Sequence, residues 1–387
     1  MLTVLGTVSS LSRNGGGLSY TVPAWIGCME REGFKNILVS VRRENEAITE
    51  YLSKKEFEIL FVPPFMERGL GLKLAPKFKS ALEKLLLERK VDLIHNHGVW
   101  LPANHSASVV ARKYKKPCII TPHGMLTIWC YNFKPLKKRI AWQLYLKKDV
   151  MDAAIVHMTS QGEVEEFKKL GFKGRLAVIP NGIHLPVIDQ MIPKLKDGKT
   201  ALFVSRIHPK KGLLNLVEAW SRIRPKGWRM RLVGPDEGGH RKEVERALIE
   251  KGLADDFIFE GPIFGERLWE IYRTSDVFIL PTLSENFGNV VPEALACGLP
   301  VVCTYGAPWE ELVTRKCGWW IPIGVEALTK TLREVFETTA SERMEMGIRG
   351  RKLVEEKYTW ESVGKKMKLL YEWVLGGGAA PEFVLRK

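Results

Sequence analysis

One stretch in the second half, Asp276 to Cys303, limits what this chain can fold into more than any other. Asp276-Val-Phe-Ile-Leu280 is a short apolar run, suited to a strand buried on both faces. Pro281 ends it, and Thr282 to Asn289 forms a loop containing Gly288. Pro292 stands where a first helical turn tolerates proline, and Glu293 to Cys297 continues as a short helix. Gly298 suits the position just past a helix end, and Pro300 blocks continuation before Val301-Val302 starts the next strand. A glycine loop between a buried parallel strand and a helix start is an anion site, because loop N–H groups and the helix dipole both favour negative charge. Two carboxylates flank it, Glu285 in the loop and Glu293 in the helix, with seven residues between them. Carboxylates do not seek phosphate; they accept hydrogen bonds from hydroxyls. The stretch therefore reads as a holder for a ligand carrying both phosphate and sugar hydroxyls. The competing reading is an ordinary loop–helix unit with two solvated glutamates.

These residues resemble the donor-binding signature of the retaining glycosyltransferases of family 4, P-[ST]-x-x-E-x-F-G-x-x-x-x-E-A-x-A-x-G-x-P-V, which stands here from Pro281 to Val301. The resemblance implies an α/β architecture of the GT-B type, two Rossmann-like domains whose parallel sheets face across a cleft. It implies that Glu285 holds hydroxyls of the reacting sugar and Glu293 the ribose. Asn286, Phe287, Gly288, Asn289 and Val290 would line the donor. The expected domains are 1–190, acceptor-binding, with a C-terminal helix in 361–387 packing back on it, and 191–360, donor-binding.

At 387 residues the chain has room for two cores. Its net charge is +15, of which +11 falls in residues 1–190. A basic half calls for an anionic partner: nucleic acid, an anionic membrane surface or an acidic substrate. The six cysteines form no C-x-x-C pair and stand mostly among apolar residues. They read as reduced core thiols, which places the protein in the cytoplasm. No leader is visible, and no run approaches the roughly 20 apolar residues of a membrane span.

The first half repeats the strand–loop–helix layout. Leu2 to Gly6 reads as a strand, Asn14-Gly-Gly-Gly17 as its loop, and Tyr20 to Arg31 as a helix. Three glycines alone suit any flexible turn. The family places a glycine pair in this first loop facing the donor, which makes Gly16 and Gly17 donor-binding candidates. Strands follow at Gly33 to Val41 and Glu56 to Val62, then a basic amphipathic helix, Lys77 to Lys90. Phe78, Ala81, Leu82 and Leu85 form its apolar face, read as core rather than membrane contact.

Val91 to Gly98 is a strand ending in His95-Asn-His97, with no further ligand at metal spacing. The family carries a similar strand end, so His97 is expected on the acceptor side. Cys118 to Met125 is another strand with a Thr-Pro-His-Gly end. By resemblance His123 lies next to the reacting sugar; a structural loop histidine is the alternative. Lys134 to Lys148 carries six basic residues with Trp142 and Tyr145 among them, and Leu136, Ile140 and Leu144 at helical spacing. That spacing predicts one buried face, while basic ends with interfacial aromatics also suit an anionic lipid surface. Ala153 to Ser160 is a further strand, Ile179-Pro-Asn-Gly182 closes the domain, and Leu185 to Thr200 reads as linker.

The second sheet opens at Ala201. Arg206 at the strand end and Lys211 before Gly212, ahead of a helix from Leu213 to Ile223, are placed to grip a diphosphate. The family has this pair in G-R-x-x-x-x-K-G. Here Ser205 replaces the glycine, and Lys210 could share the role of Lys211. By resemblance Gly234 belongs to the nucleoside pocket, and Ile263 lies where the base would be. Thr304 to Trp309 reads as a turn without donor contact. Ser341 to Lys357 is helical, a last helix runs to Leu375, and Gly376 onward reads as a loose tail.

The implied reaction moves a sugar from a nucleoside diphosphate to an acceptor hydroxyl with retention, in polysaccharide or lipid-linked glycan synthesis. Charge growing on the leaving diphosphate would fall on Arg206 and Lys211, so neither a metal nor a cofactor is expected, only the sugar nucleotide as co-substrate. A glycan or lipid-linked acceptor is expected, with peripheral attachment at the inner membrane face as an option and no nucleic-acid partner. The alternatives are a sugar-nucleotide epimerase of the same fold and a basic nucleic-acid-binding protein. The latter leaves the two-glutamate loop unexplained.

Overall fold

Thr3–Val8 (β1) is buried along its whole length, as a strand covered on both faces must be. It opens the first of two units into which the computed structural model divides, Met1–Gly182 with Trp360–Lys387, and Ile183–Thr359. The structure describes residues 1–12, 17–42, 57–64, 76–186 and 199–385. Gly16 and most of the expected linker lie outside the described residues.

After β1 the first unit continues with α1 (Leu18–Arg31), β2 (Lys35–Val41), β3 (Glu58–Val62), α2 (Pro76–Glu88), β4 (Leu93–His97), α3 (Pro102–Lys113) and β5 (Cys118–Thr121). Three short helices follow, α4 (Ile128–Asn132), α5 (Pro135–Ala141) and α6 (Lys147–Asp152), the last two joined by a π turn over Trp142–Leu146. Then come β6 (Ile155–Met158), α7 (Gln161–Lys169) and β7 (Leu176–Val178). The second unit contains β8 (Lys199–Val204), α8 (Leu213–Ile223), β9 (Trp228–Val233), α9 (His240–Glu250), β10 (Phe257–Gly261), α10 (Glu266–Arg273) and β11 (Val277–Leu280). It closes with α11 (Val290–Ala296), β12 (Val301–Thr304), α12 (Glu311–Thr314), β13 (Gly318–Ile321), α13 (Val325–Glu337) and α14 (Ala340–Lys357). The chain then returns to the first unit as α15 (Trp360–Val374) and β14 (Val384–Leu385).

Both sheets are built outward from their first strand. The second has the order β10-β9-β8-β11-β12-β13, all parallel. The first has β7-β6-β5-β4-β1-β2-β3, parallel, with β14 added antiparallel to β7. In such doubly wound sheets the strand order reverses beside the first strand, and ligands bind at the carboxyl ends there. The reversal lies between β1 and β4 in the first unit and between β8 and β11 in the second.

Two expectations are corrected. The segment after Gly376 is not a loose tail: Val384 and Leu385 pair with Ala177 and Leu176, and Val178 N–H donates to the Phe383 carbonyl at 2.9 Å. The apolar Phe383-Val-Leu385 run covers what would be an open sheet edge. The second concerns Leu136, Ile140 and Leu144, which are not a buried face but are 71%, 52% and 76% exposed. A parallel set at the same spacing, Trp142, Leu146 and Val150, turns inward instead. Trp142 stacks on Phe172 with ring centroids 3.8 Å apart, and Tyr145 donates to the Trp100 carbonyl, which fixes that choice. In α2, by contrast, Phe78, Leu82 and Leu85 are buried as the periodicity predicts.

Candidate functional site

In the second unit the loop after β8 and the loop after β11 meet at the strand-order reversal. Lys210 contributes its carbonyl, which accepts the Leu283 N–H at 2.8 Å and the Thr282 hydroxyl at 3.2 Å. Gly212 has φ +70°, and a Cβ there would collide with the Pro281 carbonyl oxygen, so only glycine lets the two loops sit this close. The consequence is that Lys211 pairs directly with the Glu285 carboxylate, with only 9% and 14% of the two side chains exposed. Arg206 projects from the end of β8 and pairs with Glu237 at 2.5 Å, both about half exposed. An exposed pair of this kind is worth at most about 1 kcal/mol, so the Arg206 guanidinium can leave Glu237 at little cost.

Gly234 ends β9, its N–H bonded to the Gly261 carbonyl at 2.8 Å. A Cβ on it would strike the Ser205 carbonyl, so the glycine lets β8 and β9 finish side by side. Ile263, just past β10, is half-buried against the core. Glu293 keeps part of its surface in reach of solvent, but its carboxyl sits deep and accepts the Tyr272 hydroxyl at 2.9 Å. Burial pushes that carboxyl up to about 7, against the lowering effect of the tyrosine. Helix α11 stops where the sequence predicts: Leu299 N–H reaches Ala294 and Gly298 N–H reaches Leu295, with Gly298 at φ +72°. Asn286, Gly288, Asn289 and Val290 are half-buried, and Phe287 is buried. The Phe287 ring packs on Trp309 at 5.2 Å and Tyr358 at 5.7 Å, so its side chain supports the loop from beneath.

The segment Thr304 to Trp309 does more than turn the chain. Gly306 accepts the Glu285 N–H at 2.5 Å, Thr304 donates to the Thr282 carbonyl, and Trp309 Nε1 donates to the Phe287 carbonyl at 2.6 Å. Three bonds thus hold the 282–287 loop from the end of β12. The signal was available, since this segment follows the strand beside β11 and strand ends next to a reversal are where ligand loops gather.

In the first unit, β4 and β5 deliver histidines to the corresponding place. His97 Nδ1 lies 3.1 Å from His123 Nε2, and the His95 ring stacks on His97 at 4.0 Å. His123 is held at φ +53°, an uncommon left-handed backbone for a side-chain-bearing residue. Gly17, beginning α1, accepts the Thr21 N–H at 2.9 Å. Glu163 fixes the His123 loop from behind by accepting the Gly124 N–H at 2.6 Å and the Thr159 N–H at 2.8 Å. Burial pushes the Glu163 carboxyl up to about 7.

His157, not singled out in the sequence, completes a buried relay whose proton positions follow from its ends. His157 Nε2 lies 2.7 Å from the Ile179 carbonyl, which can only accept, so the ring is the Nε2–H tautomer. Its Nδ1 must then accept from Thr121, at 2.8 Å. The Thr121 oxygen in turn accepts from His95 Nε2 at 2.7 Å, and His95 Nδ1 accepts the Tyr371 hydroxyl at 2.6 Å. Every ring in the relay is neutral. Burial holds His95, His97 and His123 well below the ordinary histidine value, and His157 at about 4.

This cluster predicts acid sensitivity. On unfolding, each histidine returns to about 6.5 and binds a proton that the folded state refuses, so stability falls as the pH drops below that value. His157 alone loses roughly 3 kcal/mol between pH 6.5 and 4. Glu163, raised when folded, works the opposite way between about 7 and its unfolded value, but it is one group against four. Denaturant titrations followed by Trp fluorescence should show the midpoint of the first unit falling from pH 7 to 5. A flat profile would contradict neutral buried histidines.

Two family models meet end to end on this chain, Glycosyltransferase Family 4 over residues 15–186 and Glycosyl transferases group 1 over residues 187–353. The chain belongs to this glycosyltransferase family. A GDP-mannose:cellobiosyl-diphosphopolyprenol alpha-mannosyltransferase from Xanthomonas campestris is 24% identical over 64% of this chain and 64% of its own length. Among solved structures, sucrose-phosphate synthase from Thermosynechococcus elongatus matches 97% of this chain and 99% of its own at TM-score 0.77 and 20% identity. Anabaena HepE, solved with UDP and glucose, matches 96% of this chain and 100% of its own at TM-score 0.75 and 18% identity. These likenesses show the GT-B fold. The chain spans less than two thirds of the length of the curated relatives it matches, 64%, 57% and 45% for three of them.

Proposed function

We propose that this chain is a retaining glycosyltransferase that moves a sugar from a nucleoside diphosphate to a glycan or lipid-linked acceptor, on the cytoplasmic side of a membrane. The observation that carries the reading is the grouping of Arg206, Lys211 and Glu285 at the strand-order reversal of the second unit. A breaking glycosidic bond throws negative charge onto the diphosphate, and cations already in place stabilise it without reorganising. Arg206 gives up an exposed partner to take the phosphates. Lys211 is positioned by Glu285, which in turn has a second oxygen to offer to a sugar hydroxyl. Glu293 would receive the ribose hydroxyls, the Gly288 loop would supply backbone donors, and Gly234 and Ile263 would border the base. In the first unit His123 would meet the sugar, with His97 behind it. Gly16 and Gly17 would approach the donor. The cations supply what a metal would otherwise supply, so the reaction is read as metal-independent.

The relatives support a nucleotide-sugar donor without choosing the base. One is named for GDP-mannose, and another was solved with UDP. The test is incubation with a panel of sugar nucleotides and polyprenyl-diphosphate glycans, with product anomers read by NMR. Transfer with the donor's anomeric configuration kept supports the proposal. An inverted product would overturn retention. Release of free nucleotide and an epimerised sugar without any acceptor would favour the epimerase reading.

A further inference from the structure

The helices between β5 and β6 carry an exposed apolar surface to which the proposed reaction assigns no residue. Leu136, Ile140 and Leu144 follow one another at helical spacing and are all exposed, forming an apolar ridge along α5 into the π turn. Trp129 and Phe133 extend it; both are exposed, and their rings stack 6.3 Å apart and nearly parallel, at 3°. A ridge of five large apolar side chains within 16 residues is not the scatter of single hydrophobics that every surface carries.

Its surroundings are of one sign. No Asp or Glu stands between Asp92 and Asp149, while ten Lys and Arg do. Lys134, Lys137, Arg139, Lys147 and Lys148 are exposed beside the ridge. Lys138 instead turns back, donating to the Cys130 carbonyl and lying 5.3 Å from the Trp100 ring, which ties α5 to α4. The inward stripe of Trp142, Leu146 and Val150 anchors the same segment to the core. The ridge is therefore a fixed feature of the folded unit and not a helix that has lost its packing. No helix among the described residues is long and apolar enough to cross a membrane.

We infer that this ridge docks the first unit on a bilayer rich in anionic lipid, the apolar side chains entering the headgroup boundary and the flanking cations meeting lipid phosphates. Aromatic and aliphatic side chains with Lys and Arg alongside are what an in-plane helix needs to lie at that boundary, and each cation near the surface adds attraction that salt weakens. The charge decides between occupants. A second copy of this chain would bring the same positive charge against the ridge, whereas an anionic leaflet complements it. The inference deepens the proposed function by naming the surface that would hold the enzyme where lipid-linked acceptors are. It is tested separately from it, since vesicle binding needs no sugar transfer.

The experiment is co-sedimentation of the full chain with vesicles of phosphatidylcholine alone and with phosphatidylglycerol added, at low and high salt. Wild type should bind the anionic vesicles and release them at high salt, and bind phosphatidylcholine at least ~10-fold more weakly. The triple variant Leu136→Ser, Ile140→Ser, Leu144→Ser should lose ~10-fold or more of its binding. The triple variant Lys134→Glu, Lys137→Glu, Arg139→Glu should lose more. All six positions are exposed, so both variants should keep the wild-type unfolding midpoint and nucleotide affinity. Equal binding to both vesicle types, or full binding by the serine variant, overturns the assignment. So does a wild-type dimer that the serine variant abolishes, with no vesicle binding by either.

Discussion

Lys211→Met will lower kcat/KM about a hundredfold, a loss on the order of 3 kcal/mol of transition-state stabilisation. Methionine keeps the length and apolar stem of the side chain and removes only the charge. Two effects follow from the pairing with Glu285. The leaving diphosphate loses a preorganised cation, and Glu285 is left as an uncompensated carboxylate in a mostly buried position. Breaking such a pair also lowers the stability of the second unit, by up to about 3 kcal/mol. Glu285→Gln leaves the cation in place but frees its orientation and removes an acceptor for the sugar. It should cost a similar factor in rate and less in stability. Because the two act as one unit, the double variant should lose clearly less than the product of the single losses. Steady-state kinetics together with thermal unfolding separate the two effects. Undiminished rates in both Lys211→Ala and Arg206→Ala would remove these residues from the mechanism, whatever happens to stability.

A chain ending at Thr359 will lose cooperative folding of the first unit while keeping that of the second. The sequence after Thr359 belongs to the first unit, although the whole second unit intervenes. Trp360, Val363, Met367, Leu370 and Tyr371 of α15 are buried in a cluster with Val4, Trp25, Ile119, Ile155 and Ala177. Burying five such side chains contributes on the order of 10 kcal/mol, comparable to the entire stability of a domain. Removal of Tyr371 also leaves His95 Nδ1 without its donor deep in the core, and removal of β14 opens the edge at β7. Hydrogen exchange should report the loss. Amides of β1, β4 and β5 should exchange at the rate of open chain in the truncated protein, while those of β8, β11 and β12 stay protected. Full protection of β1 and β5 would show that α15 is dispensable and contradict this account of the core.

Much of the second-unit site is legible in the sequence because its parts are local. Pro281, Gly288, Pro292, Gly298 and Pro300 each impose a backbone conformation on the residues beside them, so the strand–loop–helix order and the place of Glu285 follow directly. Arg206 and Lys211 can be read the same way, from a strand end and a following glycine. The Lys211–Glu285 pair cannot, because it depends on how two loops 74 positions apart in sequence meet. The same holds for Thr304 to Trp309, whose bonds to the 282–287 loop come from strand adjacency and leave no trace in spacing. In the first unit, His97 and His123 stand in recognisable strand ends, whereas His157 lies inside an apolar strand and Tyr371 on a distant helix. Their relay exists only once β4, β5, β6 and α15 are assembled. The exposed ridge of Leu136, Ile140 and Leu144 shows the limit of periodicity. Two stripes of equal spacing share one segment, and the packing of Trp142 on Phe172 decides which faces in.

The central claim is that the carboxyl end of β8 and the loop after β11 bind the diphosphate of a sugar nucleotide. Calorimetric titration with UDP, GDP and ADP, on wild type and on Arg206→Ala, tests it most directly. One of the three should bind wild type at micromolar affinity, and Arg206→Ala should lose most of that affinity. The base that binds then names the donor class. Binding of none of them, or equal binding by Arg206→Ala, would contradict it.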